Sequence, residues 1–449
     1  MTCEKGGVCM GAKKGGLKDA ISWLPQEVLG DILSLVPTKL AASTSVLSKK
    51  WRNVFALVHN LDFDDSIFLQ PEKGKIERDV VREGFRNFVD RTLALQGASP
   101  INKLSLGFHI LKYSEMADMA RWICNVVERG VLEVDLDVWT NCQLSLPSEL
   151  FTSKTLVKLT LGTHICLGKI PPGVALPALK SLSIYSIFFT VDDLCDVLLP
   201  GCPVLEDLYV CHEEEEGSPF CISSRTIKSL SVYYDFEPEI YCMGGMSFDA
   251  PNLVSLEYRD YALAEYPQVN LESLVEARLD IHYSKRMRRP DLTGLIVGVS
   301  NIETLHLSPA SADVISRCVK HGLDLPVFNN LVNLSFGINN KRGWKLLPYL
   351  LKQSPKLETL IIQGLDGYTG DVVTIRPLKV KELHVLGYGG TAKEWEHLKS
   401  FLGGAVCLEL VRVEFRQGDV VDVCKLSQFR GGLIAAVASK CKAKVEYYI

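Results

Sequence analysis

The chain of 449 residues holds no run near the eighteen apolar residues that a membrane-spanning helix needs, so none is expected. Its opening stretch, 1–16, is rich in Gly and Lys and has no apolar core, so no secretory signal is expected there either. Fourteen cysteines occur, but no two are spaced as C-x-x-C. That excludes the common redox and zinc-ribbon patterns and points to reduced thiols in a cytoplasmic and/or nuclear protein, without disulfides. The single glycosylation sequon, Asn333-Leu334-Ser335, falls in an apolar strand pattern and is discounted. An excess of basic charge is also missing: 49 Lys and Arg against 53 Asp and Glu leave a net charge of −4. General binding to nucleic acid therefore has little electrostatic support. No P-loop, G-x-G-x-x-G, H-E-x-x-H or G-x-S-x-G is found. These absences leave no expected catalytic residue, metal or cofactor.

What is present is a repeat. The chain is 47% hydrophobic and 23% charged, enough to bury a large core. The string L-x-x-L-x-L, with Ile, Val or Ala allowed, begins at Ile101 (INKLSL), Val131 (VLEVDL), Leu156 (LVKLTL), Leu179 (LKSLSI) and Leu205 (LEDLYV). It recurs at Ile227 (IKSLSV), Leu253 (LVSLEY), Leu274 (LVEARL) and Ile302 (IETLHL), then at Leu331 (LVNLSF), Leu357 (LETLII), Val380 (VKELHV) and Leu408 (LELVRV). Thirteen copies with a mean step of about 26 residues fit a leucine-rich repeat, in which each unit gives one short strand and a variable return. Positions 4 and 6 fall on one side of the strand, and stacked neighbours bury that stripe. Uneven spacing predicts a curved solenoid with loops of differing length.

Some returns read as helices. Thr190-Val191-Asp192-Asp193 caps a stretch with Leu194, Val197 and Leu198 on one face, closed by Pro200-Gly201. Trp344, Leu347 and Leu350 form a similar stripe closed by Ser354-Pro355. Ahead of the repeats, Leu24-Pro25 opens a helix through Val28, Leu29, Ile32 and Leu33, stopped by Pro37. Thr38 is expected to cap a second helix, and Ser48 a third carrying Trp51, Val54, Phe55 and Val58. Three helices in some forty residues bury little surface alone, so so broad an apolar stripe needs a partner.

Here the residues match a known pattern. Asp19-x-Ile21-Ser22-x-Leu24-Pro25-x-x-Val28-Leu29-x-x-Ile32-Leu33-Ser34-Leu35-x-Pro37-Thr38-Lys39 resembles the opening of a plant F-box. Thr44-Ser45-Val46-Leu47-Ser48-Lys49-Lys50-Trp51-Arg52 resembles its end. Leu61-Asp62-Phe63-Asp64-Asp65 is similar to the stretch that follows in plant F-box proteins with leucine-rich repeats. The resemblance implies that Leu24, Pro25, Val28, Leu29, Ile32 and Trp51 dock a Skp-family adaptor or shape the surface for it. Near the C-terminus, Thr391-Ala392-Lys393-Glu394 forms a capping box for a helix with Trp395, Leu398 and Leu402 on one face, closed by Gly403-Gly404. With Val380 to Val385 and Tyr388-Gly389-Gly390, it resembles the FBD domain that ends many plant F-box proteins.

The expected α/β organisation is then a disordered 1–18, an F-box over 19–60, a linker over 61–100, a repeat solenoid over 101–374 and an FBD-like end over 375–449 that continues it. Cys202, Cys211, His212 and Cys221 lie close in sequence, but their spacing fits no common zinc pattern, so structural cysteines are expected. His306 and His384 share the fifth string position, which alternates toward solvent and reads as exposed strand histidine. Glu213 to Glu216 reads as a loop tip. Lys285-Arg286-Met287-Arg288-Arg289 reads as a solvated loop, a nuclear-import signal or a partner-binding rim. The resemblance implies a non-catalytic subunit of a Skp–cullin–F-box ubiquitin ligase whose repeats hold a target protein. A repeat scaffold without ligase function is the alternative, a small-ligand sensor is less favoured, and a stand-alone enzyme least.

Overall fold

In a computed structural model, residues 23–66, 78–110, 112–140, 145–162, 170–185, 193–212, 220–237, 245–286, 289–365, 379–416, 429, 431–436 and 444–448 are described. Segment 1–18, the caps at 190–192 and the acidic run 213–216 lie outside them. The chain divides into two units, 1–106 and 107–449.

In the first unit, prolines set where helices begin. Pro25 precedes α1 (Gln26–Leu33) and Pro37 precedes α2 (Thr38–Thr44). The third helix, α3 (Lys49–Phe55), starts at Ser48, whose hydroxyl accepts the Trp51 N–H at 3.4 Å, as the sequence predicts. Thr38 is a correction. It does not cap α2: it is the first helical residue, fully buried, and its hydroxyl accepts the Asp62 N–H at 2.7 Å. The helix therefore holds the strand β1 (Asn60–Asp64). Ser34 stitches the same junction, donating to the Gly30 carbonyl at 2.8 Å and accepting from the His59 N–H at 3.1 Å.

The stretch 61–100 differs from a linker. It contains β1 with Leu61 and Phe63 buried, and the helix α4 (Arg78–Gln96) with Phe85, Val89 and Leu93 buried. Phe63 meets Phe88 edge to face at 5.8 Å, and the buried Gln96 side chain donates to the Val58 carbonyl at 2.6 Å. The apolar spacing along 81–93 supplies that face, and Gly97 in the left-handed region ends the helix.

The unit boundary falls within β2 (Lys103–Ile110). Beyond it, the strings fix the strands. Those of the second unit are β3 (Glu133–Thr140), β4 (Lys158–Gly162), β5 (Ser181–Tyr185), β6 (Asp207–His212), β7 (Cys221–Ser223), β8 (Ser229–Tyr234), β9 (Ser247–Asp249), β10 (Ser255–Tyr261) and β11 (Val269–Asn270). They continue as β12 (Glu276–His282), β13 (Thr304–Leu307), β14 (Asn333–Gly337), β15 (Thr359–Gln363), β16 (Glu382–Tyr388), β17 (Leu410–Phe415) and β18 (Lys444–Tyr448). All thirteen strings start a strand at their third residue. Residues at positions 1, 4 and 6 of every copy are buried. Except for β7, β9 and β11, these strands lie parallel in chain order, and the register pairs like positions: Leu256 stands opposite Leu230 on one side and Ala277 on the other. The chain is thus an N-terminal set of F-box-like helices followed by a parallel-stranded α/β repeat array.

The returns vary. Helix α5 (Tyr113–Glu128) buries Met119, Trp122, Ile123 and Val126. The return before β6 is not an α-helix as expected but one wide π turn, Asp193–Leu198, followed by a 3-10 turn at Leu199–Gly201. Pro200 has no N–H to give back to the preceding turn, so the chain tightens and the Cys202 N–H goes to the Leu199 carbonyl at 3.0 Å. Strands β7, β9 and β11 form a second small parallel sheet among the returns. Helix α6 (Thr293–Gly298) follows β12, then α7 (Pro309–Lys320), α8 (Lys341–Lys352) and α9 (Ala392–Gly404). Trp344, Leu347 and Leu350 face inward from α8, and α9 carries the predicted capping box: the Thr391 hydroxyl accepts from Glu394 N–H, and Glu394 accepts from the Thr391 and Gly389 amides.

Among the buried acids, Asp260 sits within the strand core. Asp260 accepts from the Tyr258 hydroxyl and the Tyr261 N–H, both at 2.6 Å, and burial pushes its carboxyl up to about 7. A folded pKa above the unfolded value means that this group weakens the fold progressively as pH rises from about 4 to about 7, and no further above that. Thermal melts of wild type and Asp260→Asn across that range are therefore expected to shift in the variant's favour as pH rises. A Tm difference that stays constant with pH would contradict this.

Candidate docking surfaces

The three short helices turn apolar side chains two ways. Leu29, Leu33, Ala41, Val54, Phe55 and Val58 are buried. Leu24, Val28 and Ile32, four residues apart on and just before α1, are 36%, 40% and 46% exposed. Pro25 is exposed beside them, and Trp51 on α3 is half-buried. Of the six residues expected at the adaptor surface, only Leu29 is closed off, at 1% exposure. Its place is in the packing that holds α1 against the other two helices, so it can shape the outer face without forming it. Leu35, Leu40, Val46 and Leu47 are also exposed, although the sequence reading did not single them out. Their signal was available: too many apolar residues for one helix face in so short a segment. So dense an exposed apolar set is more than the singly scattered apolar residues of an ordinary surface.

A second surface is the open face of the long sheet, built from string position 5 and the residue two further on. Tyr185, Tyr209 and Tyr233 step across β5, β6 and β8 with ring centroids 4.8 and 5.3 Å apart. Burial against their neighbours pushes all three phenols up, so they remain neutral donors. Next come charges in pairs: Arg259 reaches Asp235 at 3.2 Å and Asp280 at 3.7 Å, and Arg278 reaches Glu276 at 2.8 Å. His306 lies 3.4 Å from Glu276, and His384 lies 3.4 Å from Glu382. Both rings sit lower than an ordinary histidine, chiefly through burial, so they are half-buried members of this face rather than plainly exposed residues. At the far end, Lys444 and Arg412 hold the Glu446 carboxyl down to about 2.

The Cys-His cluster does not assemble. Cys211 and His212 are consecutive on β6 and point to opposite faces. His212 is buried and pushed down to about 4 by desolvation, while the buried Cys202 thiol is pushed up to about 12 and donates to the Leu198 carbonyl at 3.3 Å. Among the described residues, no three His, Cys, Asp or Glu side chains come together as a metal site, and no helix is long and apolar enough to cross a membrane. Lys285, Arg286 and Arg289 lie in a loop after β12; residues 287–288 are outside the described set.

Comparison with known proteins bears on both surfaces. The F-box domain family model matches residues 21–62, spanning α1 to β1. A second family, described as "FBD-associated F-box protein At5g56370, LRR repeats", matches residues 119–268. The chain is 54% identical over 442 residues to the F-box/LRR-repeat protein At3g60040 of Arabidopsis thaliana, covering 95% of this chain and 97% of that one. It is 53% identical over 408 residues to F-box/LRR-repeat protein At1g06630 of the same plant, covering 90% and 99%. The chain belongs to the F-box/LRR-repeat proteins. The F-box match runs past α3 into β1, where Thr38 accepts the Asp62 amide, so strand and helices are one piece. The repeat match covers strands β3 to β10, and the same pattern of burial continues to β17.

Thr38→Val keeps the size of the side chain but leaves the Asp62 N–H without an acceptor. A loss of roughly 1–3 kcal/mol in urea unfolding is expected, as for other orphaned buried donors. An unchanged midpoint would show that this bond does not tie the F-box together.

Proposed function

We propose that this F-box/LRR-repeat protein is the target-recognition subunit of a Skp–cullin–F-box ubiquitin ligase, working in the cytoplasm, the nucleus or both. The F-box match and the F-box relatives support the coarser statement, a role in target recognition within such ligases. The observation that carries the finer reading is the outward apolar row Leu24, Val28 and Ile32, on and just before a helix whose inward face is already filled by Leu29 and Leu33. A Skp-family adaptor covers that row and links the chain to a cullin. The repeat array holds the target, with the tyrosine row and the charged ladders of the open sheet face as its contact side. The chain does no bond chemistry; it raises the local concentration of a target lysine near the activated ubiquitin thioester.

Val28→Asp/Ile32→Asp places two carboxylates on the outer row. Co-purification with a Skp-family adaptor is expected to fall by at least about 30-fold, on the scale of a lost hot spot of roughly 2 kcal/mol, while the Tm stays within about 2 °C. Leu29→Ala is expected to act through stability instead, costing about 2–5 kcal/mol as a buried leucine. Wild-type protein that fails to bind, or a double variant that binds equally well, would overturn the proposal.

A further inference from the structure

The outer side of the repeat array holds a cavity of about 840 Å³ between α7 and α8. Its walls gather Arg317, Lys320 and His321 from the end of one helix with Lys341, Arg342 and Lys345 from the start of the next. In sequence these two groups are twenty residues apart and neither is a basic run of note. In a chain with a net charge of −4, this concentration of positive charge is local.

Part of the cluster explains itself. Arg317 and Arg342 both hold Asp313, at 2.8 and 3.1 Å, and cations in the last turn of α7 suit the negative end of its dipole. The remainder does not. Lys341 and Arg342 stand in the first turn of α8, at the positive end of that helix, where a cation is unfavourable. Lys341 and Lys345 are four residues apart on the same helix, so like charges face each other. Among the described residues, Lys320, Lys341 and Lys345 have no acidic partner, and all three are exposed. Asp313 alone cannot offset five Lys and Arg groups lining one cavity. Two of the first-turn amides are already taken, because the Asn340 side chain accepts from the Arg342 and Gly343 N–H groups at 2.8 and 3.1 Å. A ligand here would be met by side chains, with Tyr349 as an aromatic wall.

We infer that this cavity is a binding site for a small, multiply phosphorylated anion. The volume is that of a small-molecule site. Several converging ammonium and guanidinium groups suit phosphate oxygens better than a single carboxylate would, and a bound polyanion relieves every unfavourable placement above at once. The site is independent of the adaptor surface and of the open sheet face, so it stands or falls apart from the ligase reading.

The test is isothermal titration of the full chain with inorganic tripolyphosphate at 150 mM NaCl, beside Lys320→Ala/Lys345→Ala and, as a control, Lys285→Ala in the basic loop after β12. The expected result is saturable one-site binding, weakened at least tenfold by the double variant and unchanged by the control. Both altered lysines are exposed, and an unchanged Tm in the absence of ligand verifies folding. ATP and fructose 1,6-bisphosphate run in parallel separate the sources: the tighter of the two shows whether a nucleoside or a sugar carries the phosphates. Absence of saturable binding, or equal weakening by the control, would overturn the inference.

Discussion

A strand with an apolar residue at every second position has one side that water rejects and nothing of its own to cover it. In this chain the next strand extends that side and the inward faces of the return segments cover it, as Trp122 covers Phe108 at 5.6 Å, and the rest of the molecule follows from that. Parallel pairing in register sets Leu182 beside Leu159 and Leu208, and Leu334 beside Leu305 and Leu360. Each fully buried leucine or valine contributes about 1.5–3 kcal/mol, but only while both neighbours are present. Parallel pairing also requires the chain to return to the same edge each time, so every repeat carries a return segment on the outside. Strict spacing inside the strings and freedom outside them are two sides of one constraint.

That freedom is where the chain differs from repeat to repeat. The returns include an α-helix, a π turn, short strands of a second sheet and the polar capped helix α9. Two consecutive returns, α7 and α8, place their basic ends around one cavity. The opposite, open face of the sheet carries residues the core does not use: tyrosines across β5 to β8, then paired charges and half-buried histidines. The helical segment at the start obeys a different economy. Its core is small, and the apolar residues left over, Leu24, Val28, Ile32 and those beyond, face outward, so the segment still presents a surface to cover.

The repeat strands were legible because their signal is local and repeated: six residues with three buried positions, thirteen times. Helix starts marked by Ser48 and Thr391 were legible for the same reason, a side chain and an amide three residues apart. What escaped was long-range. Thr38 looks like a cap from its neighbours alone, and only the fold brings the Asp62 amide to it. Residues 61–100 read as a linker because the partners of Phe88 and Gln96, the Phe63 ring and the Val58 carbonyl, lie outside the helix. Leu29 and Ile32 look alike in sequence; only packing tells which is inside. The basic cavity was invisible because Lys320 and Lys345 come together solely through the stacking of two returns.

The central claim is a division of labour: the F-box presents an outer face that its own fold does not need, and the proposed adaptor binds there and not on the repeat strands. Hydrogen–deuterium exchange of the full chain, with and without a Skp-family adaptor, tests this directly. Protection confined to residues 23–57, with strands β3 to β18 unchanged, is the result the account predicts. Unchanged exchange over 23–57, or protection spread through the repeat strands, would contradict it.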